Sequence, residues 1–388
     1  MQIIEVTTSS DRKDFLLVPR IIYRDDPKWI SHLDRDIESV FDPGGNNLFK
    51  HGKAIRWIMK DDNGNLTGRV AAFYNKQLAD THKQPTGGIG FFECINNKDA
   101  AFALFDKCKD WLTDYGLEAM EGPVNFGEKD SFWGLLIESR GYRPPYRMNY
   151  NPPYYKELFE AYGFKNFYEQ YVYRVDRTHT FHPIFEKKYQ RLIQNDGYSI
   201  KTADKNNLEK YADDFKTIYN KAWEKTHKHF KPLTQKEVME TFNSMKRVID
   251  PDLLIFVYYK EQPIAFYINI PELNQIFRYV NGKLNLAGKL KFLYYKWLGK
   301  CRTIYGIVFG IIPEYRGKGI ESALVIKLKQ VVESKNRYDD VYISWIGDFN
   351  IKMIRLIEAL SFDKIFTLVT YKKLFDPKEE FERHPVLD

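Results

Sequence analysis

Cysteine is scarce in this chain. Cys94, Cys108 and Cys301 form no Cys-x-x-Cys pair, and an odd count cannot pair completely within the chain, so no disulfide framework is expected and a reducing compartment is implied. Long apolar runs are also missing. The longest candidate, Ile304 to Pro313, is short and broken by glycines, whereas a membrane helix needs about 18 or more consecutive apolar residues. The opening MQIIEVTTSSDRKDF has neither a basic stretch leading into an apolar one nor a cleavage site, so no secretory signal is expected and a soluble, cytoplasmic protein is implied. His179 and His182, and His227 and His229, are close in sequence but lack a ligand frame of Cys or acids. No metal site is expected.

What is present points to a folded chain of more than one domain. A length of 388 residues is two or three domains' worth, and 28 Phe and 27 Tyr are far more aromatics than a disordered chain carries. The formal charge of +7 suits an anionic ligand but is too thinly spread for nucleic acid, which is not expected as a partner.

The chain repeats itself. Leu158-Phe159-Glu160-Ala161-Tyr162-Gly163-Phe164 matches Leu356-Ile357-Glu358-Ala359-Leu360-Ser361-Phe362, and two hairpin patterns, Ala54 to Tyr74 and Leu253 to Ile270, recur near the same offset. Each half continues with a glycine-containing apolar strand (Gly87 to Ile95; Thr303 to Ile312) and an amphipathic helix. Ala101, Leu104, Phe105, Cys108 and Leu112 mark the first helix, and Ile320, Leu324, Leu328, Val331 and Val332 the second. A further strand follows in each (Leu117 to Glu121; Val341 to Ile346). The expected fold is α/β (α+β): two units, 1–176 and 198–388, each a mixed, mostly antiparallel sheet flanked by helices, joined by a connecting helix within 177–197. Two long insertions distinguish the halves, Pro123 to Pro153 and Glu272 to Arg302, and long insertions often carry binding.

The run Ile311-Ile312-Pro313-Glu314-Tyr315-Arg316-Gly317-Lys318-Gly319-Ile320-Glu321 reads as a strand end, a turn and a helix start. It gathers the unpaired amides of a first helical turn, the positive end of a helix dipole and two cations, which together suit a pyrophosphate. Here the chain resembles the GNAT superfamily of acyl-CoA N-acyltransferases. The superfamily's signature of Arg or Gln, two residues, Gly, one residue, then Gly or Ala falls on Arg316, Gly319 and Glu321, and Asn350 to Phe362 is similar to its second motif. The resemblance covers the second half and, through the duplication, the first as well, as a tandem GNAT protein.

That resemblance implies an acetyl-CoA or other acyl-CoA co-substrate. Its pyrophosphate would lie on the amides of Gly317, Lys318, Gly319, Ile320 and Glu321 beside Arg316, its pantetheine arm at Gly310 and Ile311, with Asn350 opening the following helix. Glu321 stands where the family has a small residue, Ile357 where many members have a Tyr that protonates the departing thiolate, and Ser361 where a Gly precedes the final Phe. In the first half Asn96-Asn97-Lys98-Asp99 replaces the glycine turn, with an Asn as helix cap, so a single donor site is expected. Carboxylates past two strand ends, Asp348 and Glu272, are the candidate bases, and Tyr315 is the candidate acid, with Tyr305 and Tyr279 behind it. Leu286 to Cys301 places Leu286, Leu290, Leu293 and Trp297 on one helical stripe beside Lys289, Lys296 and Lys300. It reads either as a packing helix or as a face for peripheral membrane contact. The expected function is N-acylation of a small-molecule or lipid-like amine acceptor. A silent ligand-binding or scaffold protein and a Fem-type aminoacyl transferase are the alternatives.

Overall fold

The computed structural model describes residues 1–224, 230–246 and 248–386; His227 and His229 lie outside the described residues. In chain order the first half gives β1 (Gln2–Glu5), α1 (Ser9–Ile22), α2 (Asp34–Val40), β2 (Gly52–Lys60), β3 (Leu66–Asn75), α3 (Lys76–Ala79) and β4 (Thr86–Cys94). It continues with α4 (Lys98–Asp114), β5 (Ala119–Gly122), β6 (Leu135–Ser139), α5 (Tyr154–Tyr162) and β7 (Lys165–Asp176). Then come α6 (Pro183–Ile193), β8 (Tyr198–Thr202), α7 (Leu208–Trp223), α8 (Gln235–Met245), β9 (Leu254–Tyr259) and β10 (Gln262–Pro271). The chain closes with α9 (Asn274–Phe277), α10 (Leu286–Trp297), β11 (Thr303–Ile311), α11 (Ile320–Lys335), β12 (Asp340–Gly347), α12 (Ile351–Ala359) and β13 (Asp363–Leu374). The strands and helices expected from periodicity are present within a few residues of their expected bounds.

One sheet runs through both halves, in the order β1-β2-β3-β4-β5-β13-β7-β12-β11-β10-β9-β8, with β6 on β13. Each half therefore lends its last strand to the other. β7 of the first half pairs with β12, and β13 of the second pairs with β5, while β7 and β13 join antiparallel at the centre. Helices α4 and α5 cover one face of the first half through Leu104, Phe105, Cys108, Leu112 and Phe159. Helices α6, α11 and α12 cover one face of the second, where Ile320, Leu324, Leu328 and Val332 are buried at helical spacing. Each such side chain is worth roughly 1.5–3 kcal/mol of burial, which is what holds the helix N-terminus against the sheet.

In each half one pair of strands is parallel, β4 with β5 and β11 with β12, and neither pairing is complete. β11 and β12 match only from Thr303/Asp340 to Gly306/Ile343, and β4 and β5 only from Thr86/Ala119 to Gly88/Glu121. Beyond those points the strands diverge. Because β5, β13, β7 and β12 alternate in direction, the two splays open toward opposite ends of the strands. The two insertions meet each other: the Tyr146 amide donates to Glu272 Oε1 at 2.7 Å, and Asn274 Nδ2 donates to the Pro144 carbonyl at 2.9 Å.

Candidate active site

The site is built at the end of β11. Through Ile311 this strand stays hydrogen-bonded to β10, but past Gly306 its other edge has left β12, so a row of main-chain groups faces open space inside the sheet. The chain then turns through Pro313–Tyr315 into α11, with Gly317 at φ +74° and Gly319, the helix cap, at φ +87°. Both are left-handed positions that glycine occupies without steric cost. A glycine cap also brings no side chain to the helix end. No side-chain cap bond forms at Gly319, so the first-turn amides of α11 remain available.

An open cleft of about 820 Å³ lies over these amides. It gathers Gly310, Ile311, Arg316, Gly317, Gly319, Glu321 and Asn350 from the expected donor-site residues. The two expected cations are held differently from a freely solvated pair. Arg316 donates from Nε to the Ile311 carbonyl at 3.2 Å and from Nη2 to the Ala222 carbonyl at 3.0 Å, bracing the turn against α7. Lys318 places its ammonium 4.8 Å from the centroid of the Tyr315 ring. Ile320 is fully buried, leaving only its amide for the turn. Asn350 caps α12 by accepting from the Met353 amide at 3.3 Å.

Two cations of the cleft wall were not found in the sequence. Lys188 on α6 lies beside Gly319, where an added Cβ would meet its Cβ at 3.5 Å, and Lys352 lines the cleft from α12. Neither belongs to the turn motif, so no local signal marks them. At Gly310 the Trp223 ring comes so close that an added Cβ would sit 2.9 Å from it. An apolar pocket of about 70 Å³ shares Phe309, Met353 and Leu356 with the cleft and extends beneath the splay to Tyr267, Ile343 and Ile357. Ile357 thus makes apolar wall where the family's acid was looked for.

The three candidate catalytic groups do not line the cleft. Asp348 accepts from Arg383 Nη2 at 2.5 Å, toward the C-terminal segment. Tyr315 packs its ring 5.8 Å from that of Tyr259. Glu272 is buried and accepts from three amides, those of Tyr146, Asn274 and Gln275, so it lies at the junction of the insertions instead of at a solvent rim. Burial pushes its carboxyl up to about 7 against the downward pull of those amides. On the sheet face opposite α11 the arrangement differs. There Tyr305 donates to Ser344 Oγ at 3.3 Å, and a small pocket joins Tyr305 and Trp345 to Asp130, Trp133 and Arg147 of the first half's insertion. Burial raises the Tyr305 hydroxyl above its ordinary range.

The equivalent place in the first half is built differently, and the pocket there is lined by Arg69, Glu93, Pro123 and Tyr155. Asn97 caps α4 by accepting from the Ala100 amide at 2.9 Å, which closes the helix end that Gly319 leaves open. On β4, past the end of its pairing with β5, Glu93 is buried and accepts from Tyr23 at 2.5 Å and Tyr155 at 2.9 Å, with Arg69 at 3.5 Å. Burial raises the Glu93 carboxyl, and the Arg69 charge opposes that shift. Cys94 is a buried thiol pushed up to about 12, packed in the core. Among the described residues no group of three or more His, Cys, Asp or Glu is placed to hold a metal ion, and no helix is long and apolar enough to cross a membrane.

No protein-family model matches the chain. It is 24% identical over 371 residues to Protein YghO of Escherichia coli, covering 94% of this chain and 93% of that protein. It is likewise 24% identical over 384 residues to a bacterial ceramide synthase of Caulobacter vibrioides, covering 96% and 97%. Among solved structures it superposes on a tandem GNAT protein from the clavulanic acid biosynthesis pathway with a TM-score of 0.55 and 10% identity, covering 97% of this chain and 99% of that one. The fold is that of a tandem GNAT protein.

Proposed function

We propose that the chain is an acyl-CoA-dependent N-acyltransferase for a lipid-like amine, with its one donor site in the half spanning 198–388 and with 1–176 shaping the acceptor side. The observation that carries this reading is the convergence at one strand end of a free β11 edge, the uncapped amides after Gly319, and Lys188 and Lys352 on one open cleft. An acyl-CoA supplies a thioester whose carbonyl an amine attacks, the C–N bond forming as the C–S bond breaks and the amine's proton passing to a base or to water. The first-turn amides and the lysines fit its phosphates, and the free β11 edge fits its amide-bearing arm. The apolar pocket shared through Phe309 and Met353 favours an acyl chain longer than acetyl. Tyr305, kept protonated by burial, and Asp130 are the groups best placed to move protons on the acceptor face. The relative named a ceramide synthase supports this acceptor class, because a ceramide is an N-acylated long-chain amino alcohol.

Calorimetric titration of the whole chain with acetyl-CoA and longer acyl-CoAs tests the reading, followed by free-thiol release on adding a long-chain amino alcohol. One equivalent bound, with thiol released, is expected. Two equivalents or none would refute the single-site reading. The silent-scaffold reading draws on one observation, the carboxylate of Glu321 in the cleft wall, and binding without thiol release would favour it. Glu321 also gives a signed prediction. Removing its charge with Glu321→Gln should tighten CoA binding by about 0.3–1 kcal/mol, the size of a helix-terminus charge effect; weaker binding would mean that the carboxylate makes a supporting contact.

A further inference from the structure

Helix α10 wears its apolar face on the outside. Leu286, Leu290, Leu293 and Trp297 are 76%, 60%, 60% and 80% exposed, and Tyr294 is 55% exposed. At about 100° per residue these five positions fall within an arc of roughly 100°. The opposite side holds the helix to the protein: Phe292 packs on Phe277 at 5.5 Å, Tyr295 stacks on Tyr279 at 3.8 Å, and Gly288 lies so near Lys283 and Val280 that no side chain would fit. The stripe is therefore not a packing surface within this chain. A contiguous exposed patch of this kind marks an interaction site.

Its surroundings specify the partner. Between Glu272 and Glu314 the sequence contains no acidic residue, while it carries Arg278, Lys283, Lys289, Lys291, Lys296, Lys300 and Arg302, the last of them ion-paired with Asp339. Lys289 and Lys291 are exposed and flank the apolar arc on its two sides. We propose that α10 seats the protein on an anionic lipid bilayer, with the leucines and Trp297 entering the boundary between headgroups and acyl chains and the lysines meeting anionic headgroups. A second copy of the chain fits less well. A two-fold contact through this patch would set Lys289 and Lys291 of one copy against those of the other.

The placement suits a donor that comes from water. α10 leads into the Thr303 end of β11, and the cleft lies at its Ile311 end, about 26 Å away along a strand rising roughly 3.3 Å per residue. The cleft thus opens at the other end of the strand from the proposed bilayer contact.

Flotation of the full chain with vesicles of phosphatidylcholine, with and without phosphatidylglycerol, tests this. The expected result is binding to the anionic vesicles that weakens with salt. The triple change Lys289→Gln, Lys291→Gln, Lys300→Gln should lower the partition coefficient on the order of 100-fold, and the double change Leu290→Ser, Trp297→Ser should abolish binding. All five side chains are solvent-exposed, so an unchanged Tm is the folding control. A wild-type chain that stays unbound at low salt, equal binding to both vesicle types, or a dimer that Leu290→Ser dissolves would each overturn the proposal. It stands apart from the acyl-transfer reading. CoA titration of the same variants should match the wild type, so a failure of vesicle binding and a failure of donor binding are read separately.

Discussion

Gly319→Val is expected to abolish CoA binding, with an affinity loss of more than about 100-fold by calorimetry. The added side chain finds ordinary room, since the nearest atom to a Cβ at Gly319 is Lys188 Cβ at 3.5 Å, so the effect is one of backbone conformation. A β-branched residue at φ +87° is held in a strained region at a cost of roughly 1–3 kcal/mol, and the chain escapes that cost by turning the cap. Turning the cap re-aims the amides of Ile320, Glu321 and Ser322 together, which removes the cradle as a unit. The control is the equivalent cap of the other half. Asn97→Ala should cost about 1 kcal/mol of stability through loss of the bond to the Ala100 amide, yet leave CoA affinity unchanged. The Tm of Gly319→Val is measured beside that of Gly319→Ala, where the strain is smaller, to separate loss of binding from loss of fold. Wild-type affinity in both folded variants would remove the turn from the donor site.

The contrast between those two caps explains which parts of the molecule were legible in the sequence. A left-handed cap leaves a glycine behind it, so Gly317 and Gly319 marked their turn, and a side-chain cap leaves an Asn, as at Asn97. Strand and helix periods were equally readable. The exchange of β7 and β13 was not, because an alternating strand shows which face is buried and carries no mark of which neighbour lies beside it. The partners of the candidate carboxylates were hidden for a related reason. Asp348 finds Arg383, 35 residues away, and Glu272 finds the Tyr146 amide, 126 residues away. Nothing adjacent to either acid signals those partners. For α10 the stripe of leucines was visible but its direction was not: periodicity defines an apolar face relative to the helix axis, and only the contacts of Phe292 and Tyr295 fix which way that face points.

Glu272→Ala should destabilise the protein by about 3–5 kcal/mol near pH 6, because three buried amides lose their acceptor at once and each unsatisfied group costs roughly 1–3 kcal/mol, less whatever entering water recovers. The loss would fall on the junction of the halves. Glu272 receives the Tyr146 amide at 2.7 Å from the first half's insertion and those of Asn274 at 2.9 Å and Gln275 at 3.2 Å from the start of α9. Glu272→Gln keeps one acceptor oxygen and the same shape, so it should cost less, and it isolates the contribution of the proton. Burial raises the folded-state carboxyl to about 7 from an ordinary 4.5. The folded protein therefore holds a proton that the unfolded chain has lost between those values. Stability from this group is complete below about pH 4.5 and is lost as pH rises through 7, by about 3 kcal/mol across the window. Denaturant titrations of the wild type and Glu272→Gln at pH 5 and pH 8 should show the wild type losing more stability than the variant on going to the higher pH. A gap between the two proteins that does not change with pH would mean that the three amides outweigh burial and keep Glu272 ionised throughout, which would leave it as a plain carboxylate cap joining the insertions.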